Sequence, residues 1–174
     1  MSAIPGTCNR SMPTFDTMRR VPFTPQQMYA LVADVERYPE FLPMCAGLTV
    51  TSREIVDEKP VIVARMAIGY KGISEQFTTR VTLDSNAPAV AVSYLDGPFH
   101  HLENRWRFLA VAGVAQPSCD IAFWIDYAFK SPMLGLLMGS VFDQAFHKFS
   151  EAFEVRARAV YGAPGGLAMA PSSA

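Results

Sequence analysis

Cysteine is scarce in this chain. Cys8, Cys45 and Cys119 are the only three in 174 residues, and they stand far apart. No CxxC or Cys/His spacing is present, so a zinc finger or ribbon is excluded. An odd, scattered set gives no disulfide framework, and a reducing compartment fits best. Charge is also scarce: Asp, Glu, Lys and Arg make up 18% of the residues, and 15 basic against 16 acidic residues leave a net charge of −1. That balance gives no electrostatic case for DNA. No long apolar run is present either. PMLGLLMGSVF, residues 132–142, is the longest, and a membrane-spanning helix needs roughly 20 apolar residues. MSAIPGTCNR at the start has no apolar leader segment.

Catalytic signatures are missing too. There is no HExxH, no GxSxG and no glycine-rich phosphate loop. His100 and His101 are adjacent in a strand pattern, so they point to opposite faces. Cys45 has no basic neighbour to activate its thiol. Asp34 and Glu40 read as helix-end charges. With no base, nucleophile or metal set in view, the residues give no support for an enzyme.

The residues that are present describe a fold. TFDTMRRVPF, residues 14–23, reads as a first strand. Thr24 and Pro25 then cap a helix with Met28, Leu31, Val32 and Val35 at helical spacing. Pro39 and Pro43 break the next stretch into a short second helix. Segments 47–57, 60–71, 74–84, 88–96, 101–112 and 117–130 alternate with period two and are separated by turn residues. They predict an antiparallel meander. Residues 132–161 predict one helix about 45 Å long, capped by Ser131 and stopped at Gly162. The expected architecture is α+β: a strongly curved antiparallel sheet wrapped around the long C-terminal helix, a helix-grip arrangement. Residues 1–13 read as a disordered arm, 14–162 as the domain and 163–174 as a disordered tail.

One short segment is unusually apolar. YPEFLPMC, residues 38–45, carries two aromatics, a leucine and a methionine around its prolines. On the long helix Phe142, Phe146, Phe149 and Phe153 fall on one stripe, which by itself predicts core. Leu134, Leu136, Leu137 and Met138 cover more of the circumference, so that helix start is either buried on all sides or exposed beside an opening. Two neighbouring strands offer apolar faces: Leu102, Asn104, Trp106 and Phe108 on one, and Ile121, Phe123, Ile125, Tyr127 and Phe129 on the other. Asn104 is the polar exception, either a satisfied strand residue or a donor inside a cavity. A sheet closed on a single helix can leave an apolar slot.

Five motifs occur in order: DVERYPEFLPMC (34–45), FTTRVTLDSN (77–86), LDGPFHHLENRWRF (95–108), CDIAFWIDYAF (119–129) and AFEVRARAVYG (152–162). Together they resemble the coenzyme Q-binding protein family of the START-like, polyketide cyclase/dehydrase superfamily. Its bacterial branch includes proteins described as ribosome-association toxins. The resemblance implies a helix-grip fold with an apolar tunnel that holds ubiquinone or a related isoprenoid lipid, without catalysis, in support of respiration. Its loop and turn motifs map onto Tyr38, Pro39, Phe41, Pro43 and Cys45, and onto Gly97, Pro98 and Phe99. Its strand tryptophan maps onto Trp106.

The ligand is then expected to meet Tyr38, Phe41, Leu42 and Met44 at an entrance rim and Phe99 at the DGPF turn. Inside, it is expected to meet Leu102, Asn104 and Trp106, then Phe123, Ile125 and Tyr127, and Leu134, Met138, Phe142 and Phe146 on the helix. The mouth is placed between YPEFLPMC, the DGPF turn and the first turns of that helix. Exposed apolar residues there would dock transiently on a membrane. No cofactor is required and no metal is expected. The expected location is cytoplasmic and peripheral to the inner membrane, or the matrix side in a mitochondrion. Two further readings remain. In the first, the chain binds the ribosome and blocks subunit association. For this Arg53, Arg65, Lys71, Arg80, Arg105 and Arg107 would have to share a face, whereas the histidines at 100 and 101 replace lysines common in bacterial relatives. In the second it is a polyketide cyclase or dehydratase, by analogy of fold alone.

Overall fold

The computed structural model describes residues 14–163. The expected N-terminal arm, and all of the expected 163–174 tail except residue 163, lie outside the described residues.

Seven strands form one antiparallel sheet in the order β1-β7-β6-β5-β4-β3-β2, so β1 and β2 are its free edges and the sheet does not close. The strands are β1 (Thr14–Val21), β2 (Cys45–Val56), β3 (Lys59–Tyr70), β4 (Ile73–Asp84), β5 (Ala89–Asp96), β6 (Phe99–Ala110) and β7 (Cys119–Phe129). Strands β2 to β7 follow one another as the expected meander, and β1 returns to pair with β7. Register shifts in β2, between Thr78 and Thr79, and between Phe99 and His101 mark irregularities of the kind that bend a sheet. The β3–β4 hairpin turns at Lys71 and Gly72, both with positive φ, as a tight turn between twisted strands requires.

Helix α1 (Pro25–Ala33) begins with a reciprocal cap. The Thr24 hydroxyl accepts the Gln27 N–H at 3.1 Å and the Gln27 side chain accepts the Thr24 N–H at 2.9 Å. A 3-10 turn (Val35–Arg37) and the four-residue α2 (Tyr38–Phe41) come next, as the prolines predict. Helix α3 (Pro132–Tyr161) keeps its expected bounds, with the Ser131 hydroxyl accepting the Leu134 N–H and Gly162 at its end.

The alternation in β3 to β7 buries one face, which packs with α3 and α1 into the core. Phe142, Phe146 and Phe153 of the helix stripe are buried, while His147, Lys148 and Glu151 are exposed. The C-terminal half of α3 is fastened at several points. Glu154 bridges Arg19 of β1, at 2.5 Å, and Arg158 of its own helix, at 2.7 Å. Burial works to raise the Glu154 pKa, but the two guanidinium groups outweigh it and hold the carboxyl below its usual range. Arg156 reaches Glu40 at 2.8 Å, and the Tyr161 hydroxyl donates to the Gln27 carbonyl at 3.2 Å. The N-terminal turns of α3 are different. Met133, Leu136 and Leu137 are 71%, 84% and 55% exposed.

Candidate functional site

Between the sheet and α3 lies a partly open cavity of about 150 Å³. Every strand from β2 to β7 contributes its inward face. Leu48 comes from β2, Ala64, Met66 and Ile68 from β3, Phe77, Thr79 and Val81 from β4, and Val90 and Val92 from β5. Leu102, Asn104 and Trp106 of β6 and Phe123 and Ile125 of β7 complete the sheet side. Helix α3 supplies Phe142, Ala145, Phe146, Phe149 and Phe153, and the α1–β2 connection supplies Val35, Tyr38, Leu42 and Met44. Among the described residues no carboxylate, histidine, lysine, arginine or cysteine lines it. Among the described residues no cluster of His, Cys, Asp and Glu could hold a metal.

The few polar groups of the lining are largely committed to the fold. The Tyr38 hydroxyl donates to the Val32 carbonyl at 2.5 Å, and burial pushes its phenol well above the usual value. Asn104 is buried and does two structural jobs. Its oxygen accepts the Trp106 indole N–H at 2.7 Å, and its nitrogen donates to the Trp124 carbonyl at 3.0 Å. A primary amide carries two N–H groups, so the bond to Trp124 leaves a second one on a side chain that lines the cavity. The expectation of a satisfied strand polar group describes these two bonds, and the side chain also lines the cavity. The two buried cysteines lie outside the lining. Burial raises both thiols, Cys119 to about 11, so neither is an activated nucleophile.

The structure brings ten expected residues together on the cavity wall: Tyr38, Leu42, Met44, Leu102, Asn104, Trp106, Phe123, Ile125, Phe142 and Phe146. The other five stand elsewhere. Phe41 does not line the cavity. Its ring packs edge-on against Tyr38 and Phe153, with the Arg156 guanidinium 5.3 Å over it, and it faces an outer groove. Phe99 is fully buried behind the cavity's end, stacked on Phe129 at 4.7 Å and edge-on to Phe77, Tyr94 and Phe142. Tyr127 and Met138 are buried in the same aromatic mass, and Leu134 packs half-buried against it. The expected mouth beside the DGPF turn is therefore closed in this structure by a plug of rings.

Sequence reasoning overlooked residues with a readable signal. Ala64, Met66 and Ile68, and Phe77, Thr79 and Val81, sit on the inward side of the alternation in β3 and β4. Phe149 and Phe153 belong to the same helical stripe as Phe142 and Phe146. Ala145 had no signal of its own, because its small side chain matters only for the space it leaves.

The outer face of the sheet answers the charge question. Ala64 and Met66 flank Arg65, Thr79 and Val81 flank Arg80, and Asn104 and Trp106 flank Arg105. All those flanking residues line the cavity, so Arg65, Arg80, Arg105 and, two positions further along β6, Arg107 point away from it. All four are exposed. Arg105 ion-pairs with Glu103 and lies 4.9 Å over the Trp124 ring. Arg53 does not join them, because it stands opposite the buried Ile62 and pairs with Glu36 at 2.5 Å, and Lys71 sits in a turn.

Comparison with known proteins agrees with this geometry. The chain is 37% identical to the ribosome association toxin RatA of Escherichia coli K12 over 152 residues, 87% of this chain and 91% of the relative. It is 29% identical to a mitochondrial coenzyme Q-binding protein, COQ10 homolog B of Xenopus laevis, over 80% of this chain and 56% of the relative. Among solved structures, an 18 kDa protein of Caulobacter crescentus is 33% identical, with a TM-score of 0.72, over 87% of this chain and 100% of that one. A START superfamily protein of Mycobacterium smegmatis shares the fold at 20% identity and a TM-score of 0.70, over 84% and 98% of the two chains. Residues 21–154 match the family described as polyketide cyclase / dehydrase and lipid transport. The chain belongs to that family.

Proposed function

We propose that the chain binds a polyprenyl quinone such as ubiquinone, without chemical conversion, and passes it to a respiratory membrane. The observation that carries this reading is the cavity: walled by aromatic and aliphatic side chains, with the Asn104 amide among them and, among the described residues, no acid or base in its lining. Burying an isoprenoid needs apolar area, and catalysis on a polyketide needs an ionisable group beside the substrate. Among the described residues the lining supplies the first and not the second. The name of the Xenopus relative points the same way. Among the described residues no helix is long and apolar enough to cross a membrane. Contact with the bilayer would then be peripheral, through the exposed Met133, Leu136 and Leu137, on the cytoplasmic side in a bacterium. Protein purified from a quinone-making host should yield quinone on solvent extraction, and should take it up from quinone-loaded vesicles. Absence of quinone in both assays would falsify the reading.

One observation favours a second reading. Four exposed arginines share the outer face of the sheet, beside a half-buried tryptophan, and arginine and aromatic groups are the chemistry that contacts RNA. Asp16, Glu103, Asp120 and Asp126 stand on the same face, so the patch is mixed rather than strongly basic. On this reading the chain binds the ribosome, as the name of its Escherichia coli relative states for that protein. Excess protein should deplete the monosome peak of a sucrose gradient, and arginine-to-glutamine changes at 65, 80 and 107 should restore it. An unchanged monosome peak rules the reading out.

A further inference from the structure

We propose that Tyr94 is a specificity-determining anchor for the ligand's head group, donating its phenolic O–H to a quinone carbonyl. The proposal rests on the quinone reading above.

Tyr94 follows Val90 and Val92 on the inward face of β5, and those two residues line the cavity. The tyrosine is half-buried, yet its hydroxyl is wholly buried and makes no hydrogen bond. A buried donor left unmade is a net penalty, and phenylalanine would keep the ring contacts without it. Such a group in a folded protein asks for an explanation, and its place in the fold supplies one.

The cavity of about 150 Å³ is on the scale of a single benzene-sized ring. It is too small for a quinone ring together with an isoprenoid tail, so binding requires it to lengthen. One end is locked: Tyr38 is bonded to Val32, and Arg156 and Glu154 tie α3 to α2 and β1. The other end lies under the first turns of α3, which carry Gly135 and Gly139 inside the helix. A side chain at Gly139 would meet nothing within 4 Å, and one at Gly135 only ordinary contact. Packing demands neither glycine, and both weaken the helix. The cavity therefore grows most easily toward that end. Its present wall there is Phe77 and Phe142, behind which Phe99 touches both, at 5.5 and 6.2 Å. Tyr94 is the next ring, edge-on to Phe99 at 5.8 Å.

Displacing that plug exposes the Tyr94 hydroxyl to the lengthened cavity. Asn104 pairs with Val92 across β5 and β6, so Tyr94 is its diagonal neighbour on the same face, roughly 7–8 Å away along the sheet. The pair offers two donors to a head group with carbonyls on opposite sides of one ring.

The test uses the full chain, a decyl-tailed ubiquinone analogue, and decylbenzene as a probe without oxygen. Wild type should bind the quinone more tightly than decylbenzene. Tyr94→Phe should keep or raise the melting temperature, weaken quinone binding about three- to tenfold, and leave decylbenzene binding unchanged. Unchanged quinone binding in Tyr94→Phe overturns the proposal. So does equal binding of both probes by wild type, or a lowered melting temperature with both ligands lost, which would make Tyr94 structural. Wild type binding neither probe defeats the quinone reading itself, and this inference with it.

Discussion

Gly97→Ala is expected to destabilise the fold by about 3 kcal/mol or more, the sum of a backbone cost near the upper end of the 1–3 kcal/mol range for strained φ and a steric clash. Gly97 has φ +134, a conformation that residues with a Cβ rarely adopt. A Cβ there would stand 2.7 Å from the Phe77 Cβ, 2.8 Å from the Gln76 carbonyl oxygen and 2.9 Å from the Phe77 Cα. No rotamer change relieves contacts with backbone, so β4 itself would have to move from the β5–β6 turn. Phe77 lines the cavity and supports Phe99, so the same shift loosens the plug. Gly72→Ala is the control. Its φ is +83 but nothing lies within 4 Å, so only a left-handed penalty of about 1–2 kcal/mol applies. Urea denaturation of both variants decides the point. If Gly97→Ala unfolds at the same midpoint as Gly72→Ala, close approach of the strands is not what the glycine serves.

That turn also shows what local sequence could and could not reveal. Asp96-Gly97-Pro98 announces a turn from composition alone, and the strand alternation on either side fixes which residues face inward. Periods, caps and breakers were sufficient for the architecture because each is a local rule. Thr24, Ser131 and Gly162 end helices by hydrogen bonds within a few residues of themselves. The return of β1 to the edge of β7 was not legible, since pairing between positions 14 and 126 depends on how the whole sheet bends.

The site was legible on the same terms. Residues identified by face, such as Leu102, Asn104, Trp106 and Phe146, do line the cavity. Other residues stand off the cavity wall. Tyr127, which has the inward face its alternation predicts, and Phe99, placed by the turn motif, are buried among rings that fill the end of the slot, and ring packing is a tertiary property. Phe41 follows Tyr38 by three residues and packs against it and Phe153, but its ring meets Arg156 at an outer groove, and that too is set by tertiary neighbours. Tyr94 carried no signal at all, because an unmade hydrogen bond exists only relative to neighbours that the sequence does not place.

Ala145→Phe is expected to abolish ligand retention while leaving the protein folded. Ala145 is 2% exposed and faces the cavity between Phe142, Phe146 and Phe149. Protein interiors are close-packed, and an unfilled cavity costs roughly 24 cal/mol per Å³. The cavity of about 150 Å³ thus corresponds to about 3–4 kcal/mol of packing forgone on that scale, which is hard to explain unless something fills it. A phenyl ring at 145 occupies the space from within. Cavity filling commonly adds about 0.5–2 kcal/mol, so the thermal midpoint should hold or rise, while quinone retention should fall at least thirtyfold, about 2 kcal/mol or more. Ala157→Phe is the contrast. Ala157 is fully buried on the same helix but outside the cavity, and overpacking there should cost about 1–3 kcal/mol. Equal destabilisation by the two changes would mean that the space beside Ala145 cannot accept a ring. A stable Ala145→Phe protein that still retained quinone would place the ligand outside this cavity.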